Sequence, residues 1–522
     1  MLLSPANLGH LARLTRAGWV LAREGVFSGI DPTTVPVEAR LPLALARLVA
    51  RPNVRGGVAR LPAAITKLGP SYIKLGQFLA TRPDVVGAAA VKELESLRDR
   101  VPPFPQQVAV ATVEAAFGRP LSVLFSDFSE PVAAASIAQV HRARVAADGR
   151  EVAVKVARPG VGRRFRRDLS DMYFAARLAE RWLADARRLK PVEVVDTLAR
   201  SVTMEMDFRI EAAAASEFAE NAADDPDFRV PAIDWTLTAK DVLTLDWVGG
   251  TSLSNIPALE ARGIDLADVG RIVIQSFLRH AVRDGFFHAD MHQGNLFVDP
   301  DGKLVAVDFG IMGRLGPKER RFLAEILYGF ITRDYARVAA VHIEAGYVPR
   351  RHRVADFAQA IRAIGEPIHS RTADQISMAK LLTLLFEITA LFDMHTRTEL
   401  VMLQKTMVVV EGVARSLDPK LNLWATSEPV VRGWIEENLG PAGKLGDLGT
   451  SMASLWTAGL ALPDLMVRGE RMLARLEDAA ENGIGLSRET VEGLASAQMR
   501  RIGWLTLALW LIAFVLMFKL VL

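Results

Sequence analysis

The most specific pattern in this 522-residue chain is a 23-residue stretch, HADMHQGNLFVDPDGKLVAVDFG, at residues 288–310. Two short apolar runs, 296–298 and 304–307, flank Asp-Pro-Asp-Gly, which is typical of a tight turn between two strands. Because a short hairpin brings its two ends together, the sequence predicts that Asn295 and Asp308 lie at the same open end. Amide and carboxylate oxygens are hard ligands suited to Mg²⁺, which keeps water and phosphate oxygens as its other ligands. The stretch therefore predicts a place where Mg²⁺ is held against the phosphates of a nucleotide.

The same stretch contains the spacing H-x-D-x-x-x-x-N, from His288 through Asp290 to Asn295, followed by Asp-Phe-Gly at 308–310. In phosphoryl-transfer enzymes this spacing places a catalytic aspartate five residues before a metal-binding asparagine. Asp290 is therefore the candidate that orients the attacking hydroxyl or accepts its proton, and His288 is the candidate that supports the loop. The alternatives are a surface hairpin with chance spacing, which Asp-Phe-Gly argues against, and a zinc site. Zinc at His288 and His292 would lack a third conventional ligand pattern.

A lysine on a predicted strand is the second candidate part of the site. Lys155 lies in EVAVKVA, an alternating β-branched run, and a strand lysine of this kind contacts the α- and β-phosphates in kinases. The segment MEMDFRIEAAAA, predicted to be helical, offers Glu205, Asp207 and Glu211 as carboxylate partners. We choose Glu211 as the partner of Lys155. Glu205 is equally suited to pair with Arg209 on the same predicted helix.

The loop that is predicted to cover the phosphates contains no glycine. A protein kinase has G-x-G-x-x-G at this place, but here the chain has PVAAASIAQVH at 131–141. Alanine keeps the loop small but restricts positive φ angles, so we expect a stiffer loop with an altered grip on the phosphates. The candidate nucleotide-contacting residues are Ala133, Ala134, Ala135, Ser136, Ala138 and Lys155.

A third segment, KLGPSYIKLGQFLATRPDVVG at 67–87, is predicted to form a helix that starts near Pro70. It carries Lys74 and Gln77 at helical spacing. A neighbouring apolar stripe consists of Tyr72, Leu75 and Leu79. Spacing alone favours an ordinary amphipathic helix with a solvated lysine.

The order of the predicted elements indicates a two-lobed α+β plan. Residues 122–157 favour strands, whereas 165–222 and the chain from 264 onward favour helices. Cysteine is absent, which excludes disulfides and thiolate chemistry, and the net charge of +3 does not argue for a nucleic-acid partner.

The two ends of the chain raise the question of a membrane. Residues 1–27 hold three spread arginines, so we predict an amphipathic helix rather than a signal peptide, either packed on the protein or lying on an anionic membrane. Residues 502–518 carry no charge and span about 26 Å as a helix. Lys519 lies close enough to the end to reach the interface. With Arg500 and Arg501 on its N-terminal side, the segment predicts a single span in the inner membrane with the bulk of the chain in the cytoplasm.

Taken together, the motifs resemble those of the UbiB/AarF atypical kinases, also called ABC-one or ADCK-type proteins. The resemblance is carried by K-x-G-Q at 74–77, the alanine-rich loop, E-x-D at 205–207, H-x-D-x-H-x-x-N and D-F-G, and it covers about residues 60–425. It implies a protein-kinase-like fold with added N-terminal helices, a link to ubiquinone biosynthesis, and ATP and Mg²⁺ as cofactors. It also implies that the helix with Lys74 and Gln77 is regulatory, lies over the active site and blocks protein substrates. Glu205 and Asp207 are then its candidate partners, and because they point about 200° apart on an ideal helix, the contact with Lys74 is open.

The residue patterns and the resemblance together predict five segments: a small β-rich lobe and a helical lobe, with a helical extension before them and a helical region and transmembrane anchor after them. Their expected bounds are 1–120 (N-terminal helical extension), 121–260 (β-rich lobe with a helical insertion), 261–425 (helical lobe), 426–499 (C-terminal helical region) and 500–522 (transmembrane anchor).

The expected function is that of a membrane-anchored, Mg²⁺-dependent kinase or ATPase that supports ubiquinone biosynthesis and does not phosphorylate general protein substrates. Expected partners are a nucleotide, a membrane lipid or quinone intermediate, and proteins of quinone biosynthesis. One alternative is a small-molecule phosphotransferase, which shares the H-x-D-x-x-x-x-N loop. Another is a nucleotide-binding scaffold without turnover, against which the intact Lys155, Asp290, Asn295 and Asp308 argue.

Overall fold

The computed structural model describes most of the chain up to residue 439. The described residues are 5–29, 37–51, 60–80, 102–182, 190–369 and 398–439, with 86, 90, 93, 94, 97, 388 and 391–394. Those within 1–26 and 50–435 form one compact unit, and those within 27–49 and 436–522 belong to another.

Helices make up most of the described structure. They are α1 (Pro5–Arg23), α2 (Val37–Leu48), α3 (Arg60–Leu68), α4 (Pro70–Leu79), α5 (Gln106–Phe117), α6 (Leu121–Leu124), α7 (Val161–Trp182), α8 (Pro191–Glu205), α9 (Phe208–Asn221), α10 (Ile256–Ala261), α11 (Leu266–Arg279), α12 (Pro317–Ile331), α13 (Tyr335–Glu344), α14 (Val354–His369), α15 (Thr398–Leu417) and α16 (Leu423–Leu439).

The strands lie between these helices. They are β1 (Phe125–Ala134), β2 (Ala138–Val145), β3 (Glu151–Ala157), β4 (Phe228–Arg229), β5 (Val242–Asp246), β6 (Thr251–Ser252), β7 (Phe286–His288), β8 (Leu296–Val298), β9 (Leu304–Ala306) and β10 (Met312–Arg314).

The main sheet is an antiparallel ribbon in the order β1-β2-β3-β5. Its turn between β2 and β3 contains Gly149 at φ 74°, a left-handed conformation that glycine adopts without strain. Val152, Val154 and Val156 point from β3 into a core shared with α5, and each is fully buried. The hairpin predicted around residues 147–149 is therefore confirmed.

A second small sheet, ordered β4-β9-β8-β6, contains the hairpin predicted from the 288–310 stretch. Leu296 pairs with Ala306 and Val298 pairs with Leu304. The Asp299 side chain stabilises the turn, because its Oδ1 accepts hydrogen bonds from the backbone N–H groups of Asp301 and Lys303. Because these hydrogen bonds are local, the turn could be predicted from the sequence.

The helical lobe is built around α11, whose residues Val269 to Leu278 are almost all buried. Helix α15 packs along it through Leu403, Val410 and Ala414, in a core that also receives β7 and β8. At Gly270 an added Cβ would lie only 3.3 Å from the backbone oxygen of Ala414, so the two helices approach closely at this glycine.

The N-terminal helix α1 packs against α7. Arg13 donates hydrogen bonds from Nε and Nη2 to the carboxylate of Asp171, at 2.7 Å each. His10 contacts the same carboxylate and stacks on Phe174 with 5.2 Å between ring centroids. Asp171 is only 2% exposed, and the Arg13 guanidinium and the His10 ring outweigh the effect of its burial, so its pKa lies below the usual value. Of the two alternatives for α1, the structure supports the helix packed on the protein.

One predicted helix is wrong in its extent. The segment 204–215 does not form one continuous helix, because α8 ends at Glu205 and α9 begins at Phe208. Asp207 caps α9 from an extended conformation (φ −122°, ψ 96°), and its side chain accepts the backbone N–H of Arg209. The capping preference of aspartate overrides the helical pattern at this point.

The α+β kinase-like fold predicted from the sequence is confirmed in its β-rich and helical parts. Within the described ranges no helix has both the length and the apolar character needed to cross a membrane. The predicted anchor at 500–522, like most of the predicted region 426–499, lies outside the described residues.

Candidate active site

Three charged side chains meet between the main sheet and the hairpin. Lys155 Nζ lies 2.7 and 3.0 Å from the two carboxylate oxygens of Glu211 and 3.3 Å from Asp308 Oδ1. Lys155 projects from β3 and Glu211 from the first turn of α9, and both are less than 10% exposed. The ammonium also lies 5.5 Å from the ring centroid of Phe208. The predicted pairing of Lys155 with Glu211 is therefore present in the structure.

The three groups perturb one another electrostatically. Burial alone lowers the pKa of Lys155, but the carboxylates of Asp308 and Glu211 outweigh it and raise that pKa. For Glu211, burial and the neighbouring Asp308 raise the pKa against the opposing effect of Lys155. The pKa of Asp308 is lowered, because the Lys155 charge and the Gly310 N–H outweigh burial. Asp308 is thus ionised at neutral pH, and its side chain is 46% exposed, so a ligand from solution can reach it.

Asp308 has a strained backbone. Its φ is 69°, in the left-handed region that residues other than glycine adopt rarely. The Asp308 carboxylate accepts a hydrogen bond from the N–H of Gly310 at 3.2 Å, which stabilises this turn locally. Such conformations persist where the surrounding structure fixes them and are common at functional sites.

The residues of the H-x-D-x-x-x-x-N loop are joined by hydrogen bonds. His288 Nδ1 accepts the backbone N–H of Asp290 at 3.1 Å, and Asn295 Nδ2 donates to the backbone oxygen of Asp290 at 3.1 Å. The backbone oxygen of Asn295 accepts the N–H of Val307 at 2.9 Å, which places Asn295 beside the strand end that carries Asp308. The hairpin therefore brings Asn295 and Asp308 to the same end, as predicted.

His288 and His292 hold the loop through their side chains. His288 is 1% exposed and packs edge-on against Phe309 at 5.5 Å between ring centroids. Burial lowers the pKa of His288 despite the nearby carboxylates of Asp290 and Asp308, so the ring is neutral at pH 7. The His292 Nδ1 accepts the N–H of Gly294 at 3.0 Å. In both rings Nδ1 is occupied by a backbone donor, which favours the supporting role over the zinc alternative.

The donor set fits Mg²⁺ and the phosphates of a nucleotide. Asn295 Nδ2 donates to the Asp290 carbonyl, which leaves Asn295 Oδ1 as a candidate oxygen ligand at the same end of the hairpin as Asp308. One ammonium, Lys155, faces the buried carboxylate of Glu211 and the exposed carboxylate of Asp308, so the three groups together carry a net negative charge that a bound cation would offset. Asn295 and Asp308 would hold the metal ion, and Lys155 would contact the phosphates.

The alanine-rich loop lies at one end of the main sheet. Ala133 pairs with Val140, and Val140 pairs in turn with Lys155, so the loop and the lysine are in register across three strands. No residue from 133 to 138 has a positive φ, which explains why the loop needs no glycine. Within this segment Ser136 and Ala138 are buried, whereas Ala133 is exposed and Ala134 and Ala135 are half-buried.

Arg158 anchors this loop, and Gln139 and His141 lie on the strand that follows it; the sequence did not single out any of the three. Arg158 donates to the backbone oxygens of Ala135 and Pro102, and its own N–H bonds to the oxygen of Ile137 at 2.7 Å. Gln139 and His141 are fully buried and hydrogen bonded to each other at 3.0 Å. Gln139 and His141 occupy alternate positions on the buried face of one strand, and this pattern could have indicated from the sequence that they have a structural role.

Helix α4 begins at Pro70, as predicted, and carries Lys74. Lys74 Nζ lies 2.6 Å from Glu205 Oε2, and its charge contributes to the lowered pKa of Asp308. The open choice between the two acids is thus decided by geometry, because Asp207 instead pairs with Arg209 at 2.6 Å. Since Arg209 pairs with Asp207, the alternative pairing of Glu205 with Arg209 is wrong.

The remaining residues of α4 fix its position. Within the described part of the chain, the half-buried Gln77 side chain makes no direct hydrogen bond to the groups above. Tyr72 and Leu75 pack on the core formed by α7 and α8, whereas Leu79 packs with α3. A Cβ at Gly76 would lie 2.4 Å from Leu97 Cδ1, so the glycine of K-x-G-Q allows this tight packing.

Two family models match the chain. The first, described as the ABC1 atypical kinase-like domain, matches residues 96–342 and includes the three charged groups and the hairpin. The second, described as the UbiB helical domain, matches residues 361–422.

Individual relatives agree with these matches. A protein of Marinobacter nauticus named probable protein kinase UbiB is 39% identical over 464 residues, which are 88% of this chain and 84% of that protein. A protein of the same name from Pseudomonas fluorescens is 39% identical over 415 residues, 78% of each chain. A solved complex of Rv3197 with erythromycin from Mycobacterium tuberculosis matches with a TM-score of 0.50 and 27% identity, over 69% of this chain and 91% of that one. The resemblance drawn from the motifs is confirmed, and the chain belongs to the UbiB family of ABC1 atypical kinase-like proteins.

Proposed function

We propose that this protein is an Mg²⁺-dependent atypical kinase or ATPase that supports ubiquinone biosynthesis. The observation that carries the proposal is the buried Lys155 between Glu211 and Asp308, with Asn295 at the adjoining strand end. The ubiquinone pathway is suggested by the family to which the chain belongs and by the names of its relatives.

The residues of the site divide the work of phosphoryl transfer. Bound Mg·ATP would supply the phosphoryl group and the neutralising charge. Glu211 orients the Lys155 ammonium, which offers a fixed positive charge to phosphate oxygens. Asn295 and Asp308 provide oxygen ligands for the metal ion. Asp290, whose side chain is 41% exposed, is placed to orient an acceptor hydroxyl or take its proton.

The acceptor is proposed to be water, a small lipid-like molecule or the protein itself, and not a general protein substrate. Lys74 on α4 pairs with Glu205 and is close enough to lower the pKa of Asp308, so α4 lies beside the site. A peptide would compete with this helix for the same space. The alanine-rich loop is already fixed by Arg158 and does not need the freedom of a glycine loop.

The test is phosphate release from ATP by the full-length protein with and without Mg²⁺. We expect turnover that requires Mg²⁺ and falls at least tenfold in Asp308→Asn, because one charged metal ligand is lost. Asp301→Asn is the matched control, since Asp301 lies at the exposed turn of the same hairpin. Wild-type protein with no turnover would favour the scaffold alternative, and equal rates in Asp308→Asn would place the chemistry elsewhere.

The cellular setting completes the proposal. We propose that residues 502–522 anchor the protein in the inner membrane and that the kinase-like part lies on the cytoplasmic side, where ATP is present. A quinone intermediate or lipid in that membrane, and proteins of quinone biosynthesis, are the proposed partners. The uncharged run at 502–518 and the arginines before it support this setting.

A further inference from the structure

Helix α15 contacts the catalytic loop on both sides of Asp290. Thr406 Oγ1 lies 3.1 Å from the backbone oxygen of Ala289, the residue just before Asp290. On the other side of Asp290, Gln293 Nε2 donates a hydrogen bond to Ser416 Oγ, near the C-terminal end of α15. Ten residues of helix separate these contacts, about 15 Å along the axis. The helix thus reaches the loop at two well-separated points.

The Thr406 contact is buried. The Thr406 side chain is 1% exposed, and its hydroxyl faces two carbonyl oxygens, that of Met402 at 2.8 Å and that of Ala289 at 3.1 Å. A hydroxyl has one proton, so the two acceptors share it. The Met402 oxygen lies within the hydrogen-bonded helix, whereas the Ala289 oxygen comes from a loop. Loss of the hydroxyl therefore affects Ala289 more, because a buried carbonyl without its donor is costly.

The donor and the acceptor of the Ser416 hydrogen bond to Gln293 can be assigned. Ser416 Oγ donates its proton to the backbone oxygen of Val413 at 2.6 Å, which leaves the hydroxyl oxygen to accept from Gln293. The backbone oxygen of Gln293 accepts a further bond from Ser252 Oγ at 3.1 Å. Gln293 is therefore held from two sides, between β6 and α15.

The helix that makes these contacts is firmly placed. Val410, Val413 and Leu417 of α15 are at most 6% exposed in the core around α11. The close approach of the two helices at Gly270 limits how far α15 can slide. A side chain on such a helix can set the position of a loop to a fraction of an ångström.

We propose that α15 positions the catalytic loop by holding it on both sides of Asp290, with Thr406 and Ser416 as the positioning residues. The proposal rests on the proposed phosphoryl-transfer function and explains how the helical domain takes part in it. The nucleotide-contacting groups Lys155 and Asp308 lie on other elements, and the metal ligand Asn295 is held separately by the bond between its backbone oxygen and the N–H of Val307 in the hairpin. Loss of the α15 contacts should therefore reduce kcat and leave nucleotide binding nearly unchanged.

The experiment compares ATP turnover and nucleotide affinity in full-length Thr406→Val, Thr406→Ser, Ser416→Ala and the double variant. We expect kcat to fall on the order of tenfold in Thr406→Val, with KM and the affinity for an ATP analogue within about twofold of wild type. Thr406→Ser should restore most of the rate because it keeps the hydroxyl. The double variant should lose less than the product of the single effects, since both contacts hold one loop.

The control is Ser276→Ala. Ser276 is fully buried on α11, and among the described residues its hydroxyl bonds within its own helix, to the backbone oxygens of Ile272 and Val273. A loss of kcat in Ser276→Ala equal to that in Thr406→Val would overturn the proposal, as would an unchanged kcat in Thr406→Val. A change in KM alone would also overturn it.

Hydrogen exchange separates this inference from the proposed function. If wild-type protein shows no turnover, the function fails, but the loop can still be examined through amide exchange of residues 289–295. We expect faster exchange there in Thr406→Val than in Ser276→Ala. Equal exchange in all variants would show that α15 does not hold the loop.

Discussion

At the scale of single residues, Lys155 illustrates how burial and charge are balanced in this protein. An ammonium group buried alone would lose its proton readily, but two carboxylates keep it charged. The second of them, Asp308, remains accessible to solvent. A ligand that binds Asp308 therefore changes the surroundings of Lys155 at the same time, so lysine, acid and ligand act as one unit.

Asp225 provides a test of buried charge outside the site. It is 1% exposed at the side chain and pairs with His280 at 2.8 Å and with Arg283 at 2.7 Å. Burial raises its pKa, but these two hydrogen bonds outweigh it and lower the pKa to about 2. Because the folded-state pKa lies below the unfolded value, the ion pair contributes stability above about pH 4, and this contribution is lost as pH falls towards 2.

We therefore predict that Asp225→Asn lowers the free energy of unfolding by about 2–3 kcal/mol at pH 7. The difference in the free energy of unfolding between the variant and the wild type should decrease between pH 4 and pH 2.5, where the wild-type carboxylate takes up its proton. Urea unfolding followed at pH 7, 4 and 3 measures both quantities. Asp224→Asn, a change at the exposed neighbouring residue, is the control. A difference that stays constant with pH would contradict the prediction.

At the scale of elements, the sequence predicted what local chemistry decides. Asp-Pro-Asp-Gly specifies a turn by itself, so the hairpin that joins Asn295 to Asp308 could be predicted. Lys155 was predicted from its alternating strand pattern, and Glu211 was chosen as its partner from the three acidic residues of the segment 204–215. The break at Asp207 was missed because a good helix pattern continues through it, and only the capping hydrogen bond ends α8 and starts α9.

Contacts between distant residues were beyond the reach of the sequence. Thr406 and Ala289 are 117 positions apart, and no pattern within either helix or loop indicates that they meet. Lys74 and Glu205 are 131 positions apart by sequence number, and their pairing depends on where α8 ends. These contacts depend on how α4 and α15 pack in the folded protein, and the local sequence does not specify that packing.

The ion pair of Lys74 with Glu205 gives a prediction for α4. Both side chains are about 11–12% exposed, so the pair is shielded and holds the helix beside the site. We predict that Lys74→Ala loosens α4 and raises autophosphorylation severalfold, because the space beside Asp308 opens. Radiolabelled ATP, with a generic peptide added, measures the transfer.

Lys67→Ala is the matched control for that experiment. Lys67 lies on α3 and pairs with Glu24 in a more exposed ion pair, with 48% of its side chain accessible. We expect Lys67→Ala to behave as wild type. Efficient peptide phosphorylation by the wild-type protein, or unchanged autophosphorylation in Lys74→Ala, would show that α4 does not restrict the site.

At the scale of the whole molecule, the described structure places a kinase-like unit within residues 50–435, whereas the membrane question concerns residues 500–522. Helix α1, the other candidate for a membrane contact, is held to α7 through Asp171. Its basic residue Arg13 is therefore already paired within the protein. The uncharged run at 502–518 is the other candidate for a membrane contact that the sequence offers.

The last prediction is that truncation after Met499 releases the protein from the membrane. Residues 502–522 would span about 31 Å as a helix, close to the roughly 30 Å thickness of the hydrocarbon core. Arg500 and Arg501 would keep the N-terminal side in the cytoplasm. Cells that express either chain are fractionated, and the membranes are washed with alkaline carbonate, which removes surface-bound protein. We expect the full chain to stay in the pellet and the truncated chain to appear in the supernatant. A second variant, Leu511→Arg, places a charge near the middle of the span, which costs about 2.5–3.5 kcal/mol on insertion. We expect part of this variant to move from the pellet to the supernatant. If the truncated chain is retained as well as the full chain, the anchor lies elsewhere in the protein.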